Sequence, residues 1–144
     1  MNPSRSAPRV AVVTPAHRTP PHWLRQCAQS VAAQTCRCLH IVVADGAPAE
    51  GLEDSPALQV VLPQNCGDFG DTPRAVGSFY AAGLGCDAVA YLDADNWYDP
   101  DHIASLVALQ VESGAAIVTS RRRLHRLDGS YMAECTGSDG EQFS

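Results

Sequence analysis

Residues 9–44 have the sequence RVAVVTPAHRTPPHWLRQCAQSVAAQTCRCLHIVVA, in which two short apolar runs flank an amphipathic segment. The first run, residues 9–13, is rich in β-branched side chains and predicts a buried strand. That strand is expected to stop before Pro15, because proline cannot donate to a β-ladder. The second run, residues 39–44, predicts another strand. Two apolar strands joined by one short crossover indicate parallel pairing, with helices covering the faces of the sheet.

The segment between these two runs predicts an amphipathic helix. Thr19 is expected to cap it, since the prolines at 20 and 21 suit a first helical turn. The apolar side chains recur at helical spacing and predict one inner face, formed by Trp23, Leu24, Cys27, Ala28 and Val31. The helix is expected to end near residues 34–35. Residues 9–44 therefore predict a strand, a helix and a second strand in that order.

The rest of the chain continues the same alternation. Apolar runs predict strands at residues 58–62, 88–92 and 115–119, and helical spacing predicts helices at residues 74–84 and 99–114. A hairpin centred on Asp128 and Gly129 is expected over residues 121–131. This order predicts an α/β fold with an open, mostly parallel sheet and helices on both faces. We predict one domain over residues 9–134, with a flexible N-terminus at 1–8 and a disordered tail at 135–144.

Composition limits the classes of function. The 144 residues carry a formal net charge of -6, with 45% hydrophobic and 18% charged residues, which suits one globular domain. The negative charge argues against a nucleic-acid partner, because a phosphate backbone would be repelled. No segment approaches the roughly 20 apolar residues of a membrane span, and the first nine residues lack the apolar core of a signal peptide, so a cytoplasmic protein is expected. The scattered cysteines lack zinc-ligand spacing and are expected to be reduced structural thiols.

Polar residues stand where the apolar runs end, which is where ligands bind in an open parallel sheet. They are Thr14, Asp45 and the pair Asp93 and Asp95. Two carboxylates spaced i and i+2 at a strand end can bind a hard cation, Mn²⁺ or Mg²⁺, that also holds a diphosphate. An isolated Asp-x-Asp more often only caps backbone amides at the start of a loop. The motifs around the pair favour the metal-binding interpretation.

Four segments together resemble the family-two glycosyltransferases in order and spacing. They are VAVVTPAH at 10–17, QSVAAQT at 29–35, IVVADGA at 41–47 and YLDADN at 91–96. The resemblance extends over residues 10–127. It implies the A-type glycosyltransferase fold, a nucleoside diphosphate sugar as donor, and transfer of the sugar to an unknown acceptor with inversion at the anomeric carbon.

The resemblance also implies roles for individual residues. Thr14 and Asp45 would hold the nucleoside, Asp95 would be the main metal ligand, and Asp93 would assist through the ribose or the metal's waters. The tyrosine that many relatives use to stack the base is replaced here by an alanine followed by His17, so base stacking falls to His17 or is lost.

Other features leave alternatives open. Arg74 follows a glycine-rich loop at residues 67–73 and can pair with a diphosphate oxygen, or it can be a solvated residue at a helix start. A phosphatase of the haloacid-dehalogenase type also carries Asp-x-Asp at a strand end, but it has Thr or Val where this chain has Trp97. The family's catalytic base lies on a later strand that the resemblance does not match, so the catalytic residue stays unassigned. Glu134 and Asp139 are the first candidates for it.

The chain is therefore expected to be truncated before the acceptor half. An alternative function is a catalytically incomplete nucleotide-sugar-binding or regulatory module. Apolar surface exposed near the last strand would favour a homo-oligomer.

Overall fold

The computed structural model describes residues 7–135. The chain divides into two compact units, Met1–Val107 and Ala108–Ser144. The strands of the first unit are β1 (Val10–Ala16), β2 (Cys38–Ala44), β3 (Leu58–Val61) and β4 (Ala88–Tyr91). The helices of the chain are α1 (Pro21–Ala32), α2 (Asp71–Gly83) and α3 (His102–Ser113), and the second unit adds the strands β5 (Arg122–His125) and β6 (Tyr131–Cys135).

The first unit contains a four-stranded sheet in the order β3-β2-β1-β4, and all of its strand pairs are parallel. The predicted α/β fold with a mostly parallel sheet is confirmed. The chain builds outward from β1 through β2 to β3 and then returns through α2 to place β4 on the other side of β1. The strand order therefore reverses between β1 and β4, and ligands of open α/β sheets bind at such a reversal.

Side chains alternate between the two faces along each strand. Both faces of this sheet carry apolar side chains, and helices cover both of them. On one face, Val10 and Val12 of β1 pack with Cys27 and Val31 of α1. On the other face, the buried residues that pack together are Ala11, Val13, Ile41 and Val43 of the sheet and Ala81 of α2. Burial on both faces explains the nearly continuous apolar runs of β1 and β2.

The prediction that Pro15 ends the first strand is wrong, because β1 continues to Ala16. The carbonyl of Val13 accepts from the amide of Leu92 at 3.1 Å, on the β4 side, and the carbonyl of Ala16 accepts from the amide of Asp45 at 2.8 Å, on the β2 side. Pro15 lies two residues after Val13, so its nitrogen also faces the β4 side, where β4 has already ended. The missing N–H therefore removes no ladder bond.

Three further local predictions are wrong. Trp23, predicted on the inner face of α1, is 38% exposed, whereas Leu24, Cys27, Ala28 and Val31 are buried as predicted. The N-cap of α1 is Pro20 rather than Thr19, and no side chain forms a cap hydrogen bond there. Residues 115–119 form no strand, and Ile117 among them is 82% exposed. An apolar run becomes a strand only when a neighbouring edge and a packed face support it, and the alanines at 115 and 116 contribute little β propensity.

The hairpin of the second unit is confirmed. Strands β5 and β6 pair antiparallel, and Gly129 in the turn between them has φ 85°. The predictions for the N-terminus and the tail fall mainly on residues 1–6 and 136–144, which lie outside the described residues, as does Asp139. All six cysteines are free thiols. Within residues 7–135, no helix is long and apolar enough to cross a bilayer.

Gly77 allows α2 to pack closely on the sheet. A Cβ at this position would lie 2.4 Å from Cγ1 of Val13 and 3.1 Å from Cγ2 of Val43. We expect Gly77→Ala to lower the free energy of unfolding by about 1–3 kcal/mol, as overpacked cores do. Gly83, at the end of the same helix, has open space around it, so Gly83→Ala should be neutral or raise stability by up to about 1 kcal/mol. Equal effects of the two substitutions in urea unfolding would contradict this packing.

Candidate functional site

A cleft of about 550 Å³ opens at the carboxyl edge of the sheet in the first unit. Most of the site residues predicted from the sequence line it: His17, Asp45, Arg74, Asp93 and Asp95. These side chains come from the ends of β1, β2 and β4 and from the first turn of α2. The structure therefore brings together residues that are up to 78 positions apart in the chain, counted from His17 to Asp95.

Thr14 does not line this cleft. Its side chain is fully buried, and its hydroxyl lies 2.9 Å from Nε2 of His40 and 3.8 Å from the sulfur of Cys27. The reason is that β1 continues past Thr14 to Ala16, so the threonine side chain points into the face that α1 covers instead of standing at the strand end. The expectation that Thr14 holds a nucleoside does not fit this placement.

Asp45 is held firmly at the end of β2. Its side chain is only 5% exposed, Oδ1 accepts from the backbone amide of Cys66 at 2.9 Å, and Oδ2 accepts from Nδ2 of Asn65 at 2.9 Å. A carboxylate has about four acceptor positions, and Asn65 together with the amide and thiol of Cys66 takes up to three of them, so at least one remains for a ligand. The sequence indicated neither Asn65 nor Cys66. The approach of Asn65 depends on the backbone at Gly46, whose φ is 98° and where a Cβ would lie 2.7 Å from the nitrogen of Asn65.

His17 lies beside Asp45 with its ring exposed at the cleft. Its Nδ1 is 2.9 Å from the carbonyl oxygen of Asp45 and 3.2 Å from Nδ2 of Asn65. A carbonyl can only accept, so Nδ1 donates in the first contact, and it then cannot also accept a hydrogen bond from Nδ2 of Asn65. This contact orients the imidazole while its faces stay accessible to a ligand ring.

Arg74 connects the glycine-rich loop to the end of β4. Its Nη2 lies 2.6 Å from Oδ1 of Asp93, and its Nη1 donates to the carbonyl of Phe69 at 3.1 Å. The same Nη1 is 3.6 Å from Oδ1 of Asp71. The arginine is therefore already paired with a carboxylate, and it fixes one member of the Asp-x-Asp pair in the cleft. Nothing in the sequence pattern indicated this ion pair.

Asp95 differs from Asp93 in its surroundings. It is exposed in the cleft and makes no hydrogen bond or ion pair with another residue of the described range 7–135. Over that same range, no group of three or more His, Cys, Asp or Glu side chains is arranged to hold a metal ion. Mg²⁺ at nucleotide sites commonly takes only one or two protein carboxylates, with phosphate oxygens and water completing its shell. A single accessible carboxylate suits that kind of site.

The cleft as a whole is acidic. Its charged lining consists of Asp45, Asp68, Asp93, Asp95, Arg18 and Arg74. Because acidic side chains outnumber basic ones, an anionic ligand would be repelled unless a cation bound with it. The electrostatics of the lining therefore suit a ligand that brings its own divalent cation.

Glu134, a candidate for the base, lies on β6 of the second unit. Its Oε2 is 3.7 Å from Nη1 of Arg121. This is an ion pair between two substantially exposed side chains, a kind of contact that contributes little to stability.

Comparison with known proteins relates the fold to a glycosyltransferase. No protein-family model matches the sequence, and no curated protein matches it either. Among solved structures, the chain is similar to the crystal structure of S. aureus TarS, a glycosyltransferase, with a TM-score of 0.59 and 17% sequence identity. The match covers 81% of this chain and 21% of TarS, so the chain spans about a fifth of the length of that protein. The fold is glycosyltransferase-like.

Proposed function

We propose that the cleft is the donor site of a glycosyltransferase of the family-two type and binds a nucleoside diphosphate sugar together with Mn²⁺ or Mg²⁺. The observation that supports this most is the convergence of His17, Asp45, Arg74, Asp93 and Asp95 where the strand order of a glycosyltransferase-like sheet reverses. The reaction proposed is transfer of the donor sugar to an acceptor of unassigned class, with inversion at the anomeric carbon.

The nucleoside is proposed to bind beside the end of β2. Asp45 is preorganised by Asn65 and by the amide of Cys66, and its remaining acceptor capacity can take an N–H group of a base or a hydroxyl of a ribose. The oriented ring of His17 can stack on the base. Both groups are in place without rearrangement, which lowers the entropic cost of binding.

The diphosphate is proposed to bind near the end of β4. Asp95 would supply the protein oxygen to the cation, and Asp93, held by Arg74, would bind the ribose or a water of the metal. The bound cation would supply Lewis-acid neutralisation of the departing diphosphate. The ion pair with Arg74 keeps Asp93 in a defined position, so that it can contribute without moving.

A panel of nucleoside diphosphate sugars, screened by thermal shift with Mn²⁺ and again with EDTA, tests this proposal. A ligand present at 100 times its Kd stabilises the folded state by about 2.7 kcal/mol, so a clear rise in Tm is expected for at least one donor. The rise should vanish in EDTA. If no donor raises Tm with Mn²⁺, or if EDTA changes nothing, the metal-dependent donor site is wrong.

A single-turnover assay with donor and candidate acceptors separates transfer from binding alone. Formation of a glycosylated acceptor supports the transferase, whereas donor binding without transfer supports a nucleotide-sugar-binding module.

A further inference from the structure

Backbone strain is concentrated at the cleft. In the described part of the chain, the non-glycine residues with positive φ are Arg18, at 50°, and Phe69, at 56°, and both line the cleft. Such a conformation costs about 1–3 kcal/mol and persists where the surrounding structure imposes it, often at functional sites. The fold therefore holds Arg18 in a costly conformation at the site proposed to bind the donor.

The charge of Arg18 is available to a ligand. Its side chain is exposed and makes no hydrogen bond or ion pair with another described residue. Arg74, the other arginine of the cleft, is occupied by Asp93 and by the carbonyl of Phe69. Within the described lining, Arg18 is thus the arginine that can pair with an anion without first giving up a partner.

The N-terminus of helix α1 offers few free N–H groups to an anion in the cleft. Phosphates in many α/β folds bind the free N–H groups at a helix N-terminus. Here the N-cap is Pro20 and the first helical residue is Pro21, and neither has an N–H. The amide of Trp23 is already bonded to the carbonyl of Pro20 at 3.0 Å. Of the first three helical residues, only His22 has an amide without a backbone acceptor among the described residues, and His22 lines neither cleft. These observations favour a side-chain cation if the loop after β1 is to hold a phosphate.

Arg18 also lines two neighbouring clefts. A neighbouring cleft of about 480 Å³, bounded by the loops that follow β1 and β2, shares His17, Arg18 and Asp45 with the larger cleft. Asp45 and His17 are the proposed nucleoside contacts, and Asp95 is the proposed metal ligand of the larger cleft. We propose that Arg18 binds the diphosphate of the donor, at the junction between the nucleoside and the metal. This inference rests on the proposed function.

The test compares matched ligands in matched variants. UDP with uridine, and GDP with guanosine, are titrated in the presence of Mg²⁺, which is diamagnetic, into the wild type, Arg18→Gly, Arg18→Lys and Arg37→Ala. NMR titration is used because it measures weak nucleoside binding. Arg37 is exposed just before β2, at the opposite edge of the sheet, and serves as the control.

Arg18→Gly is expected to weaken binding of the diphosphate roughly 10- to 100-fold, the range for loss of charge-assisted hydrogen bonds, and to leave nucleoside binding unchanged. Arg18→Lys should restore part of the affinity, since it keeps the charge but not the planar fork. Because glycine adopts φ 50° freely, Arg18→Gly should not lower Tm, which separates a binding role from a structural one. Arg37→Ala should match the wild type.

Diphosphate affinity that is unchanged in Arg18→Gly, or an equal loss for the nucleoside, would overturn this inference while leaving the proposed function intact. Failure of the wild type to bind either diphosphate, when no donor of the thermal-shift panel binds either, would overturn the proposed function and this inference together.

Discussion

Replacing Asp95 by asparagine is expected to reduce the Mn²⁺-dependent affinity for a nucleoside diphosphate by about 100-fold or more, since loss of even an outer-shell partner typically costs 10- to 100-fold. The substitution keeps the size of the side chain and removes its charge. Asp95 makes no hydrogen bond or ion pair with another described residue, so the change should affect the cation and leave the fold unaltered. Isothermal titration calorimetry with Mn²⁺ and with EDTA measures the effect.

Asp54→Asn is the matched control for this experiment. Asp54 is exposed in the connection between β2 and β3 and does not line the cleft. The control should bind the diphosphate as the wild type does, in the presence of the metal only. Equal affinities of Asp95→Asn and the wild type in Mn²⁺ would remove Asp95 from the metal site.

Acid is expected to destabilise the first unit through His40. This side chain is 5% exposed, its Nε2 lies 2.9 Å from the hydroxyl of Thr14, and its buried Nδ1 has no hydrogen-bond partner among the described residues. Burial lowers the pKa of His40 to about 4, from an ordinary value of 6.5. The unfolded chain therefore takes up a proton first, and stability that is complete above pH 6.5 is lost as the pH falls towards 4. The loss amounts to about 3 kcal/mol.

Urea unfolding at several pH values measures this loss. Carboxylates also titrate in this range, so the informative quantity is the difference between the wild type and His40→Gln, which cannot be protonated. The pH dependence of the wild type should exceed that of His40→Gln by about 3 kcal/mol between pH 7 and pH 4. His22→Gln, at an exposed position of α1, should behave as the wild type. Identical pH profiles for the wild type and His40→Gln would show that His40 does not control acid stability.

Most of the fold could be predicted from residues 9–92, because strands buried on both faces give apolar runs that periodicity detects. Apolar periodicity failed to predict strands correctly where hydrogen-bond geometry decides whether a strand continues or forms. Pro15 lies within β1 because its nitrogen faces the side where β4 has ended, and the order of residues along the chain does not contain that information. Residues 115–119 have an apolar pattern but form no strand, because a strand also needs a neighbouring edge.

The candidate site was predicted less completely than the fold. Asp45, Asp93 and Asp95 could be placed, since polar residues that follow apolar runs in a parallel sheet meet at one edge. Thr14 was predicted at the end of β1, facing the ligand. Because β1 extends to Ala16, Thr14 lies within the strand and its side chain is buried against His40. Asn65 lies on a loop whose approach to Asp45 depends on the backbone at Gly46, so its role had no detectable pattern in the sequence.

The central claim is that a cation and a nucleoside diphosphate bind together at the carboxyl edge of the sheet. Paramagnetic broadening by Mn²⁺ in ¹⁵N-labelled protein tests it directly. With a nucleoside diphosphate present, the amide signals of residues 93–96 are expected to broaden most, and those of Arg37 and Cys86, before β2 and β4 at the amino edge, are expected to broaden least. Without the diphosphate, the broadening should be much weaker. Broadening centred on the amino edge, or broadening at residues 93–96 that does not depend on the diphosphate, would contradict the claim.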